Sequence, residues 1–399
     1  MMSTIKPKIA ILGASGFVGS ALVERLYFDE TWRDRFEFTA FIRGFGNAAR
    51  LARLPIRLER LDLTDYPQVL ASLSGYDYVV NCTRGDTFLM MNGLKNTARA
   101  MKALRTRKFV HLGSVAIYGE DPPAESAHEN APPNAVRTDY GNIKAAQDEL
   151  VFALHAQGVP SMILCPSNIG GPYSELILDA VARLAAGEIV LVDEGRYATN
   201  IVHVDNLVQA ILAALESDTG WGERYFVNEA EPTTWKQFFQ DLVAMLGIDY
   251  EFAGVSREEV LRQMSRQRTR SSSGIKSQVG TLVSSEFREA VSVLPAFKAM
   301  DDGAKRLFRG LSPRLQESIR RRLARPIVVP QARSTRRLDH KLITAQIRQV
   351  YHSPQKAMDR LKYAPLLDHR RGMDTTQKWL EFANRVPSRS HPGVEPGVK

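Results

Sequence analysis

Short apolar runs alternate with longer stretches whose apolar residues recur every three to four positions. That alternation fills the first 165 residues. Lys8–Leu12, Phe36–Ile42, Ile56–Leu61, Tyr78–Asn81, Phe109–Leu112 and Ser161–Leu164 have the length and composition of buried strands. Phe17–Phe28, Asn92–Leu104 and Asp139–His155 carry the helical period between them. Strands alternating with helices predict a parallel sheet covered on both faces. From about Pro166 the elements shorten and mix, as in a smaller lobe set over the sheet's carboxyl edge. Trp235–Leu246 reads as a helix stopped by Gly247. Arg257–His340 then breaks the pattern. Arg262–Ser273 is rich in Ser, Arg and Gln and reads as a mobile loop. Ser312 and Pro313 read as an N-cap and first helical residue, followed by Leu315, Ile319 and Leu323 with Arg320, Arg321, Arg322 and Arg325 on or near the flanks.

Charge sharpens this division. The net charge of +9 is uneven: residues 256–340 hold 19 Lys/Arg against 8 Asp/Glu, leaving the rest of the chain slightly acidic. With 399 residues the chain can bury a large core. Its two cysteines, Cys82 and Cys165, cannot build a disulfide framework and fit a reducing cytoplasm. Residues 1–8 lead directly into the first strand without the long apolar core of a signal peptide. No stretch reaches the roughly 18 apolar residues of a membrane span. No metal-ligand cluster is read from the sequence.

Three features carry chemistry. The first is Gly13-Ala14-Ser15-Gly16-Phe17-Val18-Gly19, which follows a strand and opens a helix. Glycines suit the tight turn and the approach of backbone to a pyrophosphate, whose charge the helix N-terminus favours. This predicts a dinucleotide site formed by Gly13, Ser15, Gly16, Phe17 and Val18. Arg43, closing the second strand, suits a 2′-phosphate and favours NADP over NAD; an ordinary surface Arg is the competing reading. Asp62, beside Leu63, either binds the adenine amine or caps the next turn.

The second feature is Tyr140 and Lys144, at i and i+4 on a helix and so on one face. An ammonium near a phenol favours the phenolate, which suits proton exchange with a hydroxyl or carbonyl. The third is Ser114, which follows a strand 26 residues before Tyr140 and would hydrogen-bond the same substrate oxygen.

These segments resemble the extended short-chain dehydrogenase/reductases of the NAD-dependent epimerase/dehydratase group. His111 through Gly119 resembles the family's strand and "VYG" segment, and Tyr140-Gly141-Asn142-Ile143-Lys144 its YGxSK. Cys165 through Pro172 resembles RPxNVYGP, and Val202 through Asn206 resembles HVDD. Ser353 through Ala357 and Gly372 through Trp379 resemble the C-terminal helices. The resemblance implies an α/β fold: a Rossmann-type, doubly wound sheet of about seven parallel strands with a small C-terminal α/β substrate lobe. It implies Ser114, Tyr140 and Lys144 as the catalytic trio, Lys144, Pro166 and Asn168 at the cofactor, and Val115, Asn168, Thr199 and Arg196 around the substrate. A homodimer is the family's habit.

The departures narrow the chemistry. Family 4,6-dehydratases carry an Asp-Glu pair where this chain has Val115-Ala116, so water loss is not expected. The Arg that grips a nucleotide-sugar diphosphate is replaced by Thr199, unless Arg183 or Arg196 moves in. Cys165 stands in place of the Arg of RPxN, Gly170 in place of its Tyr, and Met90 in place of the Asn of NxxG. Residues 200–206 also resemble reductases and hydroxysteroid-type dehydrogenases. His203 and Asp205 invite a catalytic reading, against which stands a buried strand–helix junction with Asp205 as the cap.

The expected organisation is a cofactor domain over 1–165, a substrate lobe over 166–255 and 341–385, a basic, partly helical insertion over 256–340, and a tail over 386–399. The insertion reads as a shield or oligomer contact, as an Arg-rich helix on an anionic membrane surface, or as a dock for an anionic partner. Nucleic acid is disfavoured, because only Phe287, Phe297 and Phe308 are available to stack on bases. The expected activity is hydride transfer at a secondary alcohol or ketone of a small, sugar-like or other substrate, in the cytoplasm with peripheral membrane contact left open. The alternative is a non-catalytic nucleotide-binding module that docks through the insertion.

Overall fold

The computed structural model describes residues 6–134, 139–271 and 341–387. The stripe at 315–323 and the tail beyond 387 lie outside these residues. The chain begins β1 (Lys8–Leu12), α1 (Phe17–Phe28), α2 (Glu30–Arg35), β2 (Glu37–Ile42) and β3 (Leu58–Arg60). It continues α3 (Tyr66–Ser72), β4 (Tyr78–Asn81), α4 (Thr87–Leu104), β5 (Lys108–Leu112), α5 (Asp139–Ala156) and β6 (Ser161–Pro166). With β10 (Arg224–Val227), these strands form a seven-stranded sheet in the order β10-β6-β5-β4-β1-β2-β3, every pairing parallel. Ile9, Ile11, Val80 and Val110 face one helical layer; Ala10, Leu12, Val79 and Phe109 face the other. Burial on both faces explains why the central strands read as unbroken apolar runs. The order reverses between β1 and β4, and at such a switch point the loops leaving the carboxyl ends part to form a crevice.

The lobe interleaves with this sheet. It contains β7 (Asn168–Gly170), α6 (Glu175–Ala185), β8 (Val190–Val192), β9 (Ile201–His203) and α7 (Val204–Glu216). After β10 come α8 (Trp235–Leu246), β11 (Ala253–Val255) and α9 (Arg257–Ser271), and then α10 (Lys341–Gln346), α11 (Gln355–Leu361) and α12 (His369–Phe382). A separate core joins α6, α8, α10 and α12 through Leu184, Trp235, Phe239, Leu342 and Leu380.

Two local expectations are corrected. The segment expected to be a loop from Arg262 is helical through Ser271. Val260 at its start is buried with Ile343 and Ile347 against Val190 and Val192. Glu259 pairs with Arg262 and Gln263 one turn on, which compensates for the low apolar content. The cap of α7 is His203, whose Nδ1 accepts from the Asp205 N–H at 3.2 Å. The helix therefore starts two residues earlier than an Asp205 cap requires.

Candidate active site

The glycine turn is fixed by contact. Gly13 has φ +75°, and a Cβ there would lie 2.9 Å from Thr83 backbone atoms; one on Gly19 would lie 2.3 Å from the Gly13 carbonyl oxygen. Side chains are thus excluded where the β1–α1 turn, the loop after β4 and α1 converge. No side chain caps α1, whereas Asp65, Asp86, Ser174 and Thr234 cap α3, α4, α6 and α8. The first-turn N–H groups of α1 are left for an anionic ligand. Asn168, at the carboxyl edge, has a buried Nδ2 with no acceptor among the described residues. An uncapped helix, a cradle without Cβ atoms and an orphaned amide fit a dinucleotide's phosphates and polar headgroup.

At the adenosine end, Arg43 is exposed just beyond β2. Asp62 Oδ1 accepts from the Thr64 N–H at 2.9 Å and the Thr64 hydroxyl at 2.7 Å, and these bonds hold its carboxyl below the usual range, helped by Arg43 and Arg60. Asp62 therefore performs the turn-capping role whether or not it also meets adenine. Leu63 is buried behind it.

The trio converges. Ser114 follows β5; its hydroxyl accepts from the Ala116 N–H at 3.2 Å and lies near enough to the Tyr140 phenol to ease its ionisation. Tyr140, at the start of α5, is 39% exposed toward the crevice. Desolvation pushes its phenol up; Arg84 and Ser114 pull it down. One turn along α5, Lys144 is buried, and its Nζ donates to the Leu112 carbonyl at 2.8 Å. Burial lowers this ammonium to about 8.

Residues that the sequence reading passed over complete the site. Asp148 lies one further turn along α5, 1% exposed. Its Oδ2 accepts from Arg224 on β10, at 3.0 Å from Nε and 2.9 Å from Nη2. Arg224 also donates to the Glu129 carbonyl at 2.9 Å. Burial raises the Asp148 carboxyl to about 6 despite this pairing, while its charge helps to hold Lys144 protonated. A Cβ on Gly113 would meet Asp148 Oδ1 at 3.2 Å and Cys165 Sγ at 2.8 Å, so this carboxylate packs beneath the backbone that leads to Ser114. Cys165 occupies the place of the arginine in the family pattern, and here the buried cation comes from the neighbouring strand instead. Asp148 was legible as the next i+4 position after Lys144; Arg224 was not, because its partner comes from 76 residues away.

The remaining expected residues are placed less favourably for substrate. Val115 is buried behind Ser114. Arg196 pairs with Asp193 and Tyr197, and Arg183 with Asp179 and Glu188. Thr199 is buried, and its N–H donates to the Thr233 carbonyl. With Gly171, His203 and Glu229 it lines a cavity of about 30 Å³, room for about one water, that contains none of the trio. Cys82 and Cys165 are desolvated thiols whose ionisation burial opposes, Cys82 being pushed to about 12. Among the described residues no His/Cys/Asp/Glu group could hold a metal, and no helix is long and apolar enough to cross a membrane.

Residues 9–227 match the NAD dependent epimerase/dehydratase family, and the chain belongs to it. It is an NAD(P)-dependent enzyme of the extended short-chain dehydrogenase/reductase type. It is 24% identical over 257 residues to a 2-alkyl-3-oxoalkanoate reductase of Stenotrophomonas maltophilia, covering 60% of this chain and 76% of that one. It is 26% identical over 165 residues to a 4-hydroxy-2-methyl-3-oxo-4-farnesyl-3,4-dihydroquinoline-1-oxide ketoreductase of Stigmatella aurantiaca, covering 41% and 49%; the match spans about half that relative's length. The structure superimposes on a dTDP-glucose 4,6-dehydratase from Bacillus anthracis in complex with NAD, with TM-score 0.61, 15% identity and coverage of 94% and 97%. That likeness is one of fold.

Proposed function

We propose that this enzyme is a net ketone reductase, or alcohol dehydrogenase in reverse, using exchangeable NADP(H). The carrying observation is the neighbouring Ser114 and Tyr140, with Lys144 one turn along α5 and only Val115 and Ala116 beside Ser114. That set can pass one proton to or from one oxygen. It has no second acid/base group next to Ser114 for eliminating water. A nucleotide-sugar epimerase reading is weakened because Thr199 is buried and Arg183 and Arg196 are already paired. Two of the relatives described above are reductases of oxo compounds, which supports the same direction.

Bound nicotinamide dinucleotide would supply or accept the hydride. In the reducing direction Ser114 and Tyr140 hold the carbonyl oxygen, and Tyr140 gives it the phenolic proton as the carbonyl carbon is reduced. The Lys144 charge stabilises the phenolate left behind. Gly13, Ser15, Gly16, Phe17 and Val18 would hold the pyrophosphate, Arg43 the 2′-phosphate, and Pro166 and Asn168 the headgroup.

Arg43 provides the test. NADPH is expected to bind more tightly than NADH. Arg43→Ala should weaken NADPH about tenfold to a hundredfold, the worth of a charge-assisted phosphate contact, with little change for NADH. Titration of nucleotide fluorescence with both proteins measures this. Equal or tighter binding of NADH by the wild type would remove the NADP reading.

A further inference from the structure

Arg84 stands in the loop after β4, exposed, with its guanidinium carbon 5.8 Å from the centre of the Tyr140 ring. The loop is mounted firmly at both ends. Asn81 Oδ1 accepts from the Thr83 N–H at 3.1 Å and the Thr83 hydroxyl at 2.6 Å. Asp86 caps α4 by accepting from the Leu89 N–H at 2.8 Å. No carboxylate pairs with Arg84 among the described residues.

The surrounding charges make this unusual. Arg224 pairs with Asp148, whose charge also helps to hold Lys144 protonated. Arg84 has no such carboxylate partner among the described residues. It acts on both catalytic groups, easing ionisation of Tyr140 and opposing protonation of Lys144. A guanidinium beside the proton donor, without a carboxylate partner among the described residues, therefore carries an electrostatic cost at Lys144 that an arriving anion would offset. Its planar fork matches carboxylate and phosphate oxygens.

We infer that Arg84 recognises an anionic group on the substrate, so that the ketone carries a carboxylate or phosphate within a few bonds of its reacting carbonyl. This rests on the ketone-reductase reading, because the reacting oxygen is placed at Ser114 and Tyr140. Exposed Phe88, where the loop enters α4, offers apolar surface for the remainder of the substrate.

The test is calorimetric titration of the full-length protein saturated with NADP+. Two matched pairs are used: acetoacetate with methyl acetoacetate, and dihydroxyacetone phosphate with dihydroxyacetone. The wild type is expected to bind one anion at least about tenfold more tightly than its neutral partner, the worth of one charge-assisted contact. The pair that discriminates tells carboxylate from phosphate. Arg84→Gln should erase that ratio, while Arg84→Lys keeps part of it. A ratio near one for both pairs, an unchanged ratio in Arg84→Gln, or an Arg84→Gln protein whose main loss is NADP+ affinity would overturn the assignment. Hydride transfer plays no part in this readout. A protein that binds the anion and never oxidises NADPH would sink the reductase reading alone. One that reduces neutral ketones without preferring an anion would sink only this inference.

Discussion

Tyr140→Phe is expected to slow ketone reduction about a hundredfold to ten-thousandfold, the usual worth of a positioned general acid. NADPH affinity should scarcely change, because the phenol lies at the substrate oxygen and not among the groups assigned to the phosphates. The ring remains to fill its place, so the loss should fall on kcat. The wild-type rate carries the complementary signature. Reduction needs Tyr140 protonated, and burial holds its phenol up and supplies that state. It also needs the Lys144 charge, and Lys144 titrates near 8. The rate should therefore fall as pH rises through about 8. Lys144→Arg, whose guanidinium stays charged, should lose that alkaline limb in whatever activity it retains. Stopped-flow oxidation of NADPH from mildly acidic to strongly alkaline pH, with a ketone the wild type reduces, measures each of these. A Tyr140→Phe enzyme within about tenfold of wild type would exclude Tyr140 as the proton donor.

The second large effect concerns folding. Asp148 and Arg224 are both buried and pair at 2.9 Å. Removing one partner strands the other charge away from water, which costs about 3–5 kcal/mol. Asp148→Leu and Arg224→Met are each expected to lower unfolding free energy by about that amount. The double variant should recover part of the loss, because apolar groups of similar volume replace the pair, while buried Lys144 still loses the Asp148 charge. Denaturant titration of the four proteins gives the coupling directly. Additive losses in the double variant would show that the two side chains contribute separately.

How much of this was legible depended on whether an element's cause is local. The bounds of α1 follow from the glycine turn and the apolar period, and those of α8 from its period and the left-handed Gly247 that ends it. β3 is shorter than its apolar run because Ile56 turns back on Leu54, through an N–H to carbonyl bond of 2.8 Å. The Ser/Arg/Gln stretch after Val260 looked unable to fold, yet its helix is held by contacts with Ile343 and Ile347, far along the chain. His203 displaces Asp205 as a cap because its ring lies within reach of the Asp205 N–H, a matter of side-chain placement that residue preference does not reveal.

The site divides in the same way. Ser114, Tyr140 and Lys144 stand out in the sequence because their spacing on a strand end and a helix is itself a signal. Arg224 and Arg84 were not. Each acquires its meaning from the parallel sheet, which lays β10 beside β6 and sets the loop after β4 against the start of α5. The resemblance pointed to Thr199 and Arg196 for the substrate, whereas in this chain the first is buried and the second already paired.

A net reductase exchanges its cofactor with each turnover. The most direct measurement is to purify the protein without added nucleotide, denature it and identify by mass what is released. Little or no bound nucleotide, in a protein that then takes up NADPH, is the predicted result. Stoichiometric NAD(H) carried through purification would contradict it and would identify an enzyme that regenerates its hydride in place.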